Sequence, residues 1–104
     1  MKIYKTGFEG LYVFQGKKFL DKRGFLREIF KKDLLREKMV FSVVSSSKKN
    51  VIRGLHLQKK NAQAKFVTVI KGEILDVAVD LRKKSKTFGK HFKIILNEKN
   101  SKFY

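Results

Sequence analysis

Apolar and polar residues alternate most clearly in the last third of the chain. Between Glu73 and Leu81, Leu75, Val77, Val79 and Leu81 fall on one side and Asp76, Ala78 and Asp80 on the other. A period of two is that of a strand, so this segment is expected to turn its leucines and valines toward a core. Phe92, Ile94 and Leu96 alternate with His91, Lys93 and Ile95 in a second such strand. Lys65 to Ile70 is a further apolar run, and Lys71-Gly72 separates it from Glu73. That spacing predicts a hairpin between the two runs.

The earlier part of the chain carries shorter elements. Leu11 to Phe14 and Phe19-Leu20 read as two short strands around Gly16. Asp21-Lys22-Arg23-Gly24 is a turn, followed by an extended stretch from Phe25 to Phe30. Asp33 to Lys38 fits a short helix with Asp33 near its N-cap. Val40 to Ser45 is a strand candidate, and the polar residues from Ser45 to Asn50 form a loop. The chain has no Pro, so Gly, Asn and Ser mark the turns. Short strands with polar turns predict an all-β barrel or sandwich with at most one short helix. The chain stops at Phe103-Tyr104 with no closing element, so its last edge is expected to be unpaired and the natural fold to continue past residue 104.

Composition narrows the reading. The 104 residues suit a single domain, and 42% hydrophobic residues, ten of them Phe, argue against disorder. Absence of Cys excludes disulfides and thiolate metal sites. The two histidines, His56 and His91, are far apart and no carboxylates cluster with them, so no metal is expected. Met1-Lys2-Ile3-Tyr4-Lys5 has no continuous apolar core, and no run approaches the about 18 residues of a membrane span. A cytoplasmic location is the resulting expectation.

The formal charge is +17, carried by 21 Lys and 5 Arg. Nucleic-acid readers lean on Arg for bidentate contacts, often with aromatics interleaved. Here lysine pairs are scattered at 17–18, 31–32, 48–49, 59–60 and 83–84, as in a solvated surface. An anionic ligand or partner is the sharper reading of the same charge.

The chemistry concentrates in Arg53-Gly54-Leu55-His56-Leu57-Gln58 and Gln63-Ala64-Lys65-Phe66-Val67. Arg and Lys hold phosphate or a developing oxyanion. A neutral His takes a proton near pH 7. Together they suit proton abstraction beside a carbonyl on a phosphorylated substrate. Taken alone, His56 is an ordinary strand histidine and Lys65 an ordinary strand-entry lysine; their company with Arg53 gives them a task. Arg53 and His56 are three residues apart, and a regular strand sends them to opposite faces. If both serve one pocket, the backbone breaks its period between them, and Gly54 is the residue placed for it.

These motifs resemble the dTDP-4-dehydrorhamnose 3,5-epimerase family. The resemblance begins at Phe19-Leu20-Asp21-Lys22-Arg23-Gly24 and Glu28. It runs through the two segments above to Gly72–Arg82 and Ser85-Lys86-Thr87-Phe88-Gly89. It implies a cupin-type jelly roll, here its N-terminal portion. It also implies a homodimer in deoxysugar and surface-polysaccharide synthesis, needing neither metal nor organic cofactor. By similarity His56 removes the proton beside the C4 ketone of a nucleotide-activated 4-keto-6-deoxy sugar, and Lys65 stabilises the enolate. Arg23, Glu28 and Arg53 then bind the nucleotide-sugar.

Two departures stand out. Where the family carries a Gln-x-Asn-x-Ser pattern, this chain has Phe41, Val43 and Ser45. The family's tyrosine proton donor, the aspartate that orients its histidine, and its Gly-Phe-Ala-His-Gly segment are not in these 104 residues, so weak or no turnover is expected of the chain alone. The alternative is a non-catalytic cupin-like module that binds nucleotide-sugar or assists assembly. A basic nucleic-acid binder is the weaker one.

Overall fold

Residues 12–15 form the strand that most of the core is built around. This strand, Tyr12–Gln15 (β2), pairs antiparallel with Lys2–Lys5 (β1) on one side and Lys102–Phe103 (β7) on the other. Its consecutive residues Val13 and Phe14 are both buried, so both faces are covered. Phe14 lies opposite Phe103, with ring centroids 5.7 Å apart and planes 13° from parallel. Phe66 leans on Phe103 at 4.8 Å, and Phe30 meets Phe66 edge-on at 5.7 Å. Val69 and Leu96 complete the buried apolar set.

The computed structural model describes residues 1–34 and 38–104. They form two compact units, Met1–Lys31 with Phe66–Tyr104, and Lys32–Lys65. The strands all lie in the first unit, are all antiparallel, and make this an all-β chain.

A hairpin joins Lys18–Asp21 (β3) to Gly24–Arg27 (β4) through Lys22-Arg23. Gly16 sets where it leaves the core: a Cβ there would stand 2.3 Å from the Glu28 carbonyl oxygen and 3.3 Å from the Phe103 ring. The hairpin's base is tied down by Arg27, which donates to the Val69 carbonyl at 2.8 Å and the Glu98 carbonyl at 3.3 Å. Beyond that base, Phe19, Leu20, Phe25 and Leu26 are each more than half exposed.

Glu73–Val79 (β5) pairs with His91–Asn97 (β6). The expected strands are present, but two expectations about them are overturned. The inward face of β5 is Ile74, Asp76 and Ala78, opposite Leu96, Ile94 and Phe92. Leu75 and Leu81, read as core-facing, are 62% and 52% exposed. Nor does the 65–70 run pair with β5. Val67 and Tyr104 exchange backbone hydrogen bonds at 2.7 and 3.1 Å, and Thr68 bridges Phe103. The end of the chain is therefore paired, on β2 and on residues 67–68, where an open edge was expected. Gly72 still makes a turn, with φ +83°. Glu98 caps it, its carboxylate accepting from the Gly72 N–H at 3.0 Å.

The second unit has a 3₁₀ turn at Lys32–Leu34, placing Asp33 inside the turn, not before it. Residues 35–37 of the expected 33–38 helix lie outside the described residues. No strand forms over Val40–Ser45 or around Arg53–Gln58, and both stretches are exposed.

Candidate active site

The candidate residues fall into two groups, one in each unit. In the first, Arg23 sits at the tip of the β3–β4 hairpin. Asp21 shapes that tip by accepting the Arg23 backbone N–H at 2.8 Å and its guanidinium at 2.7 and 3.2 Å. This contact holds the Asp21 carboxyl below the usual carboxylate range. The Arg23 side chain is 91% exposed. Glu28 lies just past the end of β4 and is half-buried. Its backbone N–H donates to the Lys17 carbonyl at 3.2 Å, closing the hairpin against the Gly16 crossing.

The second unit holds Arg53, His56 and Lys65, all exposed. The strand expected around Arg53 and His56 is absent, yet the backbone does break at Gly54, whose φ is +107°. An L side chain is strained there. The His56 ring folds back over this glycine, with its Nδ1 3.2 Å from where a Cβ would stand. Arg53 donates from Nη2 to the Ser46 carbonyl at 2.8 Å. That bond ties the guanidinium to the segment holding Phe41, Val43 and Ser45, the place where the two amides are missing. Gln58 closes a local loop by donating to the Asn61 carbonyl at 3.0 Å. Lys65 stands exposed just before the half-buried Phe66 and Val67.

Two polar constellations of the first unit had no role in the sequence reading. Tyr104 donates its hydroxyl to Asp76 on the inward face of β5, and its ring meets Phe92 edge-on at 6.2 Å. Burial first, and then the Asp76 contact, push the Tyr104 phenol well above its ordinary range. Asp80 is the second centre. Its carboxylate accepts from the Arg82 backbone and guanidinium at 2.9–3.0 Å, and from the Ser85 and Thr87 hydroxyls at 2.6 Å each. Arg82 first, then the two hydroxyls, hold the Asp80 carboxyl far below the usual range. Arg82 also donates to the Glu9 carbonyl at 2.9 Å, pinning the β1–β2 loop to the β5–β6 connection. Part of the signal is local: Asp80 accepts the backbone N–H two residues on and Ser85 accepts that of Thr87, the pattern of side-chain-bonded turns.

Antiparallel strands, an aromatic core and a motif-bearing segment of Arg, His and Lys define a cupin-like β protein. Residues 5–104 match the family model for dTDP-4-dehydrorhamnose 3,5-epimerase. The chain is 38% identical over 104 residues to the dTDP-4-dehydrorhamnose 3,5-epimerase of Methanothermobacter thermautotrophicus, covering 95% of this chain and 56% of that protein. It is 39% identical to the Salmonella typhimurium enzyme, covering 98% of this chain and 60% of the other. Among solved structures, the dTDP-6-deoxy-D-glucose-3,5-epimerase of Legionella pneumophila in complex with dTDP-4-keto-L-rhamnose superposes with a TM-score of 0.92. That match has 36% identity and covers 98% of this chain and 57% of that one. The chain belongs to the dTDP-4-dehydrorhamnose 3,5-epimerase family, and it spans less than two thirds of the length of these relatives. Among the described residues no helix is long and apolar enough to cross a membrane.

Proposed function

We propose that the protein is a cytoplasmic epimerase for a nucleotide-activated 4-keto-6-deoxy sugar. It would act by proton abstraction beside the C4 ketone, for dTDP-L-rhamnose or a related surface-polysaccharide sugar. His56 is the base and Lys65 the cation that steadies the enolate oxygen. A ketone lowers the barrier to C–H ionisation, and a fixed positive charge at the developing oxyanion lowers it further. Arg53 and Arg23 take the diphosphate and Glu28 a polar group of the nucleotide-sugar. The reaction moves one proton off and one on at the same carbon, so it needs no metal or organic cofactor.

One observation carries this reading: Arg53, His56 and Lys65 stand in family order in a chain that matches the family across residues 5–104. The dTDP-4-keto-L-rhamnose held by the Legionella pneumophila relative supports a dTDP-linked keto sugar as the ligand. The 104 residues are read as one cupin-type domain. A homodimer belongs to the same proposal, supported by the four exposed apolar residues of the β3–β4 hairpin, a patch that a partner surface would cover.

The test is solvent-deuterium incorporation into dTDP-4-keto-6-deoxyglucose. Exchange needs the base and the oxyanion partner, not a completed turnover. Incorporation that disappears in His56→Ala and falls in Lys65→Ala supports the assignment. Incorporation indifferent to His56 overturns it, and so does none from a folded chain together with none from a longer chain carrying the family's tyrosine and aspartate, which leaves a non-catalytic nucleotide-sugar binding module or a different sugar.

A further inference from the structure

We propose that one face of the β1–β2–β7 sheet binds a small organic phosphate. The phosphate sits at Lys2, Gln15 and Lys102, and the apolar body lies against Phe92 and Ile94. The strand register puts Lys2 opposite Gln15 on one side and Lys102 opposite it on the other. Cross-strand partners project from the same face, so the three form a single row. With strands about 4.8 Å apart, the two lysine backbones are about 10 Å from each other, with the amide between them.

Like charges in one row repel. Lys102 is half-buried, and among the described residues neither lysine has a carboxylate partner: the ion pairs there are Arg23–Asp21 and Arg82–Asp80. A phosphate between the two ammonium groups converts that repulsion into two attractions, and Lys suits it as a point charge. Gln15 is set to assist. Its Oε1 accepts the Tyr4 hydroxyl at 3.0 Å, which leaves Nε2 as the donor. That Nε2 reaches the Asn100 carbonyl only at 3.4 Å, a long bond that a phosphate oxygen can replace.

The row lies between two adjoining cavities of about 450 and 250 Å³ that share Gln15. Among the described residues no carboxylate lines either. The larger falls within the about 300–1,000 Å³ of small-molecule sites. Its walls include Val13, Phe92 and Ile94 beside the lysine row, with Tyr4, Lys5 and Thr6 also lining it, so an apolar wall adjoins the row. This division selects an anion with one ring-sized apolar body over a bare anion. Neither Arg23 nor Glu28 lines it, and the proposal does not rest on the epimerase reading.

The test is a titration of the ¹⁵N-labelled 104-residue chain with phenyl phosphate. Saturable shifts are expected at Gln15, Phe92 and Lys102, with affinity about threefold or more above inorganic phosphate. The Lys2→Gln/Lys102→Gln pair should weaken binding about fivefold or more, and Lys83→Gln/Lys84→Gln, with the same change in charge, should leave it unaltered. On the unsubstituted chain, nuclear Overhauser contacts from the phenyl protons to Phe92 and Ile94 are expected, which makes the outcome independent of how the variants fold. Shifts spread over every lysine pair without saturation, binding retained in the Lys2/Lys102 variant, or no contact to Phe92 and Ile94 would each overturn the proposal.

Discussion

The Nδ1 of His56 stands 3.2 Å from the point that a side-chain carbon on Gly54 would occupy. Gly54 has φ +107°, a conformation that costs an L residue about 1–3 kcal/mol. Gly54→Ala therefore adds strain and displaces the imidazole at once. Deuterium exchange into the keto sugar is expected to fall about tenfold or more, with the circular dichroism spectrum unchanged. Full exchange in the alanine variant would show that this ring position is not the working one.

Asp80 makes a prediction in acid. Its folded carboxyl titrates below the ordinary value near about 3.9, because Arg82, Ser85 and Thr87 bind the charged form. The sign follows: the contribution is complete above the unfolded value and is lost as pH falls toward the folded one. Thermal melts of the native chain should lose stability progressively below about pH 5. Asp80→Asn should melt lower at neutral pH and show a flatter acid limb. Parallel acid limbs would remove Asp80 from the account.

Tyr104 gives the opposite sign. Burial and Asp76 raise its phenol, so the folded state favours the protonated form. That contribution is present below the unfolded value of about 10 and is lost as pH rises through the folded one. The ultraviolet difference between native chain and Tyr104→Phe should show a phenol that ionises later than a free tyrosine. The same variant leaves the half-buried Asp76 without its hydroxyl donor, at a cost of about 1 kcal/mol at neutral pH.

Phe103 is 1% exposed and touches Phe14 and Phe66. Phe103→Ala opens a cavity where β2, β7 and the 66–68 segment meet, with an expected loss of about 3–5 kcal/mol. Against a total of about 5–15 kcal/mol for a domain, this is a large share. Urea titration checks it. A midpoint close to that of the native chain would mean that the aromatic cluster is not the centre of the fold.

How legible these features were depended on sequence distance and on paired polar groups. The β5 and β6 strands were visible because alternation is local. Their facing was misread because Leu75, Val77, Val79 and Leu81 are more apolar than Ile74, Asp76, Ala78 and Asp80. Two carboxylates can stand on the side away from solvent when each is bonded, Asp76 by Tyr104 and Asp80 by Arg82, Ser85 and Thr87. Tyr104 lies 28 residues from Asp76, beyond any local pattern. The pairing of 67–68 with 103–104 was hidden for the same reason, and the Lys71-Gly72 turn pointed to a nearer partner. Gly54 was legible as the break between Arg53 and His56. The strand expected around it was not found: its apolar residues Ile52, Leu55 and Leu57 are exposed, and among the described residues none pairs with this stretch as a strand.

The pairing of Phe14 with Phe103 also sets an order of events at the ribosome. Residues 12–15 leave the exit tunnel early, and their second neighbour, Lys102–Phe103, follows only after all the intervening strands are made. Until then β1 and β2 are a two-stranded ribbon, which is marginal in water on its own. Val13 and Phe14 lack that neighbour until residues 102–103 emerge. A nascent chain stalled short of residue 102 should therefore be a chaperone client, with this ribbon as the bound segment.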